Sequence, residues 1–161
     1  MPSRLSPLDL ITALKPATLE AGKLILEIRA KGFDVKHKGD QSPVTEADQA
    51  AEAIVLDALK SIESDAVIVA EESASNGILP NNLGNRFWLV DPLDGTKEFI
   101  KGGSDFTVNI GLIENGRPTL GLVYAPAQNR LFSGATNLGA FEENTKTGEK
   151  RQISTRTPRL D

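Results

Sequence analysis

Two stretches of helical hydrophobic period, followed by a long series of strand-like stretches, leave this chain few ways to fold. In residues 8–30, Leu10, Leu14, Ala17, Ala21, Leu24, Ile25 and Ile28 recur at the spacing of one helix face. Ser6 and Asp9 offer N-terminal caps and Gly32 a stop, while Pro16 predicts that the helix starts after it or kinks there. A second helix is predicted over 45–62, with Thr45 or Asp48 as cap and Ala51, Ile54, Val55, Ala58, Leu59 and Ile62 as its apolar face. The polar segment 34–44 between them, with Gly39-Asp40 and Ser42-Pro43, reads as a hairpin or mobile loop. Its lysines Lys36 and Lys38 are expected to be solvated.

Thereafter the pattern is one of strands. The apolar run 67–70 reads as a short buried strand and 86–90 as another, each ending at acids: Glu71-Glu72 and Asp91. Segment 95–101 is expected to form a short helix. Segments 107–114 and 119–125 flank Asn115-Gly116, a strong hairpin dipeptide. Segments 131–134 and 139–142 extend the sheet, and Ile153 is expected to begin a further strand. Two helices ahead of a largely antiparallel sheet make an α+β pattern rather than repeating βαβ units. The 161 residues suffice for one domain with a real core.

Composition removes several kinds of chemistry. The chain has no cysteine, which excludes a disulfide framework, a zinc–thiolate site and a thiol nucleophile. It has a single histidine, His37, and no G-x-S-x-G elbow, which leaves no basis for a serine–histidine triad. With 18 Lys and Arg against 22 Asp and Glu, the net charge is −4, so no nucleic-acid partner is expected. Catalysis must rest on carboxylates, hydroxyls, lysines or a metal. No segment has the length of apolar residues that spans a membrane, and the first residues lack a signal-peptide run. A cytoplasmic location is expected, with peripheral contact to the inner face of the cell membrane left open.

Asp91-Pro92-Leu93-Asp94-Gly95-Thr96 is the most informative segment. Two carboxylates three residues apart follow an apolar strand, Pro92 stiffens the turn, and Gly95 permits a tight course. Both carboxylates and the Leu93 carbonyl can then face one side, a ligand set suited to hard cations such as Mg²⁺. A helix starting at Gly95-Thr96 would aim its free N–H groups at the same place, where they suit a phosphate. On its own the hexapeptide is equally a charged β-turn. Glu71-Glu72 alone is more often a solvated strand end, and Asp48 alone more often a helix-dipole partner.

Taken together, Ser42-Pro43-Val44-Thr45-Glu46-Ala47-Asp48, Ala70-Glu71-Glu72-Ser73 and Trp88-Leu89-Val90-Asp91-Pro92-Leu93-Asp94-Gly95-Thr96 resemble the inositol monophosphatase superfamily in order and separation. The resemblance runs from residue 8 to 140. Lys97-Glu98-Phe99-Ile100, Phe106-Thr107-Val108-Asn109-Ile110-Gly111-Leu112 and Gly121-Leu122-Val123-Tyr124-Ala125-Pro126 are similar to its bisphosphate nucleotidase branch, the CysQ type of sulfur assimilation. The resemblance implies the N-terminal domain of a layered αβαβα sugar-phosphatase fold, with two helices packed on a largely antiparallel sheet.

By that resemblance, Glu71 is a ligand of a first metal. Asp91 bridges two metals, the Leu93 carbonyl joins the first, and Asp94 holds the second. Thr96 and Asp48 position the attacking water, assisted by Glu71, and water acidified by a metal needs no histidine base. The N–H groups of Gly95 and Thr96 hold the scissile phosphate, and the substrate lies against Glu71, Asp91, Leu93, Asp94, Gly95 and Thr96. Two or three Mg²⁺ ions are implied as cofactor, with Li⁺ and Ca²⁺ inhibitory. The implied activity removes the 3′-phosphate of adenosine 3′,5′-bisphosphate, yielding AMP; the alternatives are an inositol-1-phosphatase and a non-catalytic metal- or nucleotide-binding fragment. A homodimer is left open.

Residues 1–161 are accordingly expected to be the metal-binding domain, with a C-terminal substrate-binding domain absent. The family places a further aspartate after a later tryptophan, whereas the only tryptophan here is Trp88. The late acids Glu142, Glu143, Glu149 and Asp161 lie in no such context. The chain alone is therefore expected to have little activity.

Overall fold

A computed structural model of the chain describes residues 5–40 and 42–157. Helix α1, Pro7–Lys31, opens at Ser6, whose hydroxyl oxygen accepts from the Asp9 N–H, and closes at Gly32. Pro16 neither delays nor ends it. Pro16 and Thr12, the residue whose carbonyl loses its helical partner, are both exposed, so water can take that carbonyl. The buried face Leu10, Leu14, Thr18, Ala21 and Ile25 runs on unbroken.

Segment 34–44 resolves as a hairpin, with β1 (Val35–His37) antiparallel to β2 (Pro43–Thr45). Helix α2, Glu46–Ile62, starts from a complete capping box made by Thr45 and Asp48. Strand β3 (Ile68–Ala70) leads into a one-turn helix, α3 (Glu71–Ser75). Then come β4 (Arg86–Asp94), α4 (Thr96–Ile100), β5 (Thr107–Glu114), β6 (Arg117–Ala125), β7 (Arg130–Ala135), β8 (Gly139–Asn144) and β9 (Lys150–Ile153). Ile153 ends the last strand rather than beginning one. Asp161 lies outside the described residues.

The main sheet runs in sequence order from β3 to β9; β3 and β4 are parallel and every later neighbour is antiparallel. This is the expected α+β arrangement of two helices on a largely antiparallel sheet. The helices cover one face, where Leu14, Ile25, Val55 and Leu59 meet Trp88, Val108 and Leu122 in a single core. At the far end of β4, Arg86 pairs with Glu63 and Glu114 at 2.6 Å each, and the Trp88 indole N–H donates to Glu63.

Gly22 is where α1 presses closest on the sheet: a Cβ there would lie 2.3 Å from Cε1 of buried Tyr124. Alanine gains about 1 kcal/mol of helix propensity, but the overpacking costs about 1–3 kcal/mol. Gly22→Ala is therefore expected to lower the urea midpoint; an unchanged or higher midpoint would show that α1 can move off the sheet.

Candidate metal and phosphate site

The parallel pairing of β3 with β4 begins the site. Ala70 is in register with Val90, so the next residues, Glu71 and Asp91, emerge side by side at the strand ends. Glu71 comes within hydrogen-bond reach of Asp91. Asp94 arrives by a different device. Two residues three apart on a regular strand face opposite sides of the sheet. Between Asp91 and Asp94, however, β4 advances three residues while β5 advances two, from Asn109 to Thr107. The extra residue of this bulge turns Asp94 back to the face of Asp91.

Gly95 then takes φ 88°, and a Cβ there would meet the Asp105 carbonyl at 2.6 Å, so only glycine fits. Helix α4 starts immediately after it. Fully buried Phe99 anchors that helix, stacked edge-on to Phe106 at 5.5 Å and beside Phe33 at 4.7 Å. Arg29 lies over the Phe106 ring and donates to the Gly103 carbonyl at 2.7 Å.

Asp48 arrives from the start of α2, where it is 1% exposed, and its two oxygens do different jobs. Oδ2 accepts from the Thr45 N–H and hydroxyl, both at 2.7 Å. Oδ1 lies 3.1 Å from Thr96 Oγ1, which is also 3.0 Å from the Leu93 carbonyl; the single hydroxyl proton serves one acceptor at a time. The dipole-partner role and the pairing with Thr96 thus coexist. The starts of α2, α3 and α4 thus contribute Asp48, Glu71 and Thr96 to this region, and the positive ends of the helix dipoles favour acids there.

Two side chains correct or extend the sequence reading. Lys38 is not solvated: its ammonium bridges Glu71 at 2.7 Å and Glu72 at 2.8 Å, with the side chain 12% exposed. Burial works against its charge, but the hydrogen bonds and attraction of the two carboxylates outweigh it and hold the lysine well above its ordinary range. Burial raises Glu72 first, against the pull of Lys38 and with repulsion from Asp48 and Glu71. Glu52 was missed altogether. It is 5% exposed and accepts from the N–H groups of Glu72 and Ser73 and the Ser73 hydroxyl, fixing the start of α3. Its signal was an acid one turn after Asp48, on the apolar face of α2.

Asp91 is pushed up to about 7, first by burial, then by the hydrogen bond with Glu71 and repulsion from Glu71 and Asp94. Folding raises this carboxyl above its unfolded value, so the metal-free native state binds more protons. The resulting stability is present in full below about pH 4 and is lost as pH rises to about 7. In EDTA, this group should make wild-type protein melt lower at pH 7.5 than at pH 5.5, and Asp91→Asn should flatten that difference. Identical profiles for the two proteins would show that Asp91 ionises without opposition.

The donors fit Mg²⁺ in kind: carboxylates and a backbone carbonyl, with more negative charge than Lys38 balances. Among the described residues, no three acids or histidines converge into a ready metal cage. Mg²⁺ keeps several waters and is bound through one or two carboxylates plus substrate phosphate. Glu71, Asp91, Asp94 and the Leu93 carbonyl are the groups that would hold it.

Comparison with known proteins identifies the family. The model of the inositol monophosphatase family matches residues 8–159. The 3′(2′),5′-bisphosphate nucleotidase CysQ of Escherichia coli O157:H7 is 44% identical over 141 residues, 86% of this chain and 56% of that protein. An inositol-1-monophosphatase of Synechocystis is 42% identical over 139 residues, 84% of this chain and 47% of that protein. The solved structure of the IMPase of Thermotoga maritima superposes with a TM-score of 0.72 at 32% identity, covering 83% of this chain and 50% of the other. The chain spans about half the length of the relatives it matches. With a phosphatase family's model matching almost its whole length, and an acidic strand-end site to go with it, the chain belongs to the inositol monophosphatase family.

Proposed function

We propose that the protein is an Mg²⁺-dependent phosphomonoesterase that removes the 3′-phosphate of adenosine 3′,5′-bisphosphate, giving AMP and phosphate. The observation that carries this is the β4 bulge, which sets Asp91 and Asp94 on one face beside Glu71 and just ahead of the α4 N-terminus. Bound Mg²⁺ would neutralise phosphate charge and acidify water. The chain's own groups do the rest. The N–H groups at the start of α4 receive phosphate oxygens. Thr96 Oγ1 accepts a hydrogen bond from the attacking water while passing its own proton toward Asp48 Oδ1, 3.1 Å away. Asp48 is held for this by Thr45 through its other oxygen. Water attacks phosphorus as its proton passes by way of Thr96 to Asp48, the bond to the 3′-oxygen breaks, and that oxygen takes a proton from solvent while Asp48 returns its own to solvent.

The choice of nucleotide over inositol phosphate rests on Lys97-Glu98-Phe99-Ile100 and on the 44% identity to a CysQ nucleotidase. The Synechocystis relative, at 42%, keeps inositol 1-phosphate as the second reading. A further acidic ligand for the second metal, and the groups that grip adenine and ribose, are proposed to come from outside these 161 residues. Li⁺ and Ca²⁺ are proposed inhibitors, and the cytoplasm the proposed location.

Phosphate release from the bisphosphate and from inositol 1-phosphate, at identical Mg²⁺, tests the substrate. The bisphosphate is expected to have the higher kcat/KM by at least ~10-fold, equivalent to about 1.4 kcal/mol of transition-state preference. The reverse order would make the protein an inositol phosphatase. Mg²⁺ binding with no turnover of either substrate would make it a non-catalytic binding domain.

A further inference from the structure

Asn109 stands in register between Asp91 on β4 and Val123 on β6, on the face that carries the acids. Its Nδ2 lies 3.4 Å from Asp94 Oδ2, and among the described residues it is the one hydrogen-bond donor to that carboxylate. Its Oδ1 is buried and accepts nothing. The amide cannot turn over to relieve this, because its oxygen would then face the carboxylate oxygen of Asp94. A half-buried central strand favours valine or threonine at such a position, and an unpaired buried acceptor destabilises the fold. Asparagine is thus poorly suited to the strand, and its one side-chain hydrogen bond, a long one, is to Asp94.

We propose that Asn109 is a positioning residue for cation binding: its amide pins Oδ2 of Asp94 and leaves Oδ1 of Asp94 for the ion. This rests on the proposed role of Asp94 as a metal ligand. A group that served only the fold would lose stability when replaced, whereas a positioning group should lose affinity and keep stability.

The test uses the longest native form of the protein, with Asn109→Val and Asn109→Thr, the second retaining a short donor. Mg²⁺ affinity is measured by calorimetry and Tm by melting in EDTA. Asn109→Val is expected to weaken Mg²⁺ binding about 10-fold or more, with a metal-free Tm equal to or above wild type. Its half-saturating Mg²⁺ for turnover should rise while kcat at saturating Mg²⁺ stays near wild type. Asn109→Thr should fall between the two. Wild-type affinity in Asn109→Val would overturn the proposal. So would a joint loss of Tm and affinity in both variants, which would make Asn109 structural. Wild-type protein that binds no Mg²⁺ would instead remove the metal role of Asp94, and this proposal with it.

Discussion

Asp91→Asn is expected to abolish Mg²⁺-dependent phosphate release while leaving the protein folded. Asp91 is the acid that Glu71 and Asp94 both crowd, and it sits where the parallel β3–β4 pair ends and the bulge begins. An amide can still accept from the Leu93 N–H, as Asp91 Oδ1 does at 3.2 Å, so the turn survives the change. What is lost is charge. Even removing a group that merely supports a metal ligand costs about 10–100-fold in affinity, so loss of a carboxylate proposed to hold the ion itself should exceed that. The metal-free variant should be at least as stable as wild type near neutral pH, because the carboxyl whose ionisation burial and its neighbours oppose is gone. Full activity in a well-folded Asp91→Asn protein would eliminate the two-metal arrangement.

Thr96→Ala should lower kcat about 10²–10⁴-fold, the usual contribution of positioned proton transfer, with little change in KM. The hydroxyl lies between Asp48 Oδ1 and the Leu93 carbonyl and lacks the charge to hold a phosphate by itself. A loss confined to kcat identifies an interaction made in the transition state, whereas a rise in KM alone would make Thr96 a binding residue. Asp48→Asn is the natural companion, but it also alters the α2 cap, where losing the capping side chain costs about 1 kcal/mol. Its kinetic effect must therefore be read together with its melting point.

Much of this was legible in the residues because it depends on short-range rules. Helical spacing located both helices, Asn115-Gly116 located the β5–β6 turn, and Thr45 and Asp48, read as alternative caps of α2, form one capping box with Thr45 as the cap. Glycine between Asp94 and Thr96 announced a turn that no other residue can make. What was missed depends on contacts distant in sequence. Lys38 looked solvated because its partners Glu71 and Glu72 lie more than thirty residues away. Glu52 was passed over because its partners, the Glu72 and Ser73 N–H groups, lie some twenty residues on. The one-turn α3 is too short for periodicity to show. Pro16 misled because the sequence does not say that its turn of α1 faces water. The bulge is invisible in β4 alone, since it exists only as a mismatch in count with β5.

The most direct measurement is phosphate release from adenosine 3′,5′-bisphosphate by the longest native form of the protein, with Mg²⁺ and then with excess EDTA. Turnover that needs Mg²⁺, stops with chelation and returns when Mg²⁺ is restored is the expected result. Turnover that persists in EDTA, or its absence with Mg²⁺ present for both the bisphosphate and inositol 1-phosphate, would contradict a metal-dependent phosphatase built on Glu71, Asp91 and Asp94.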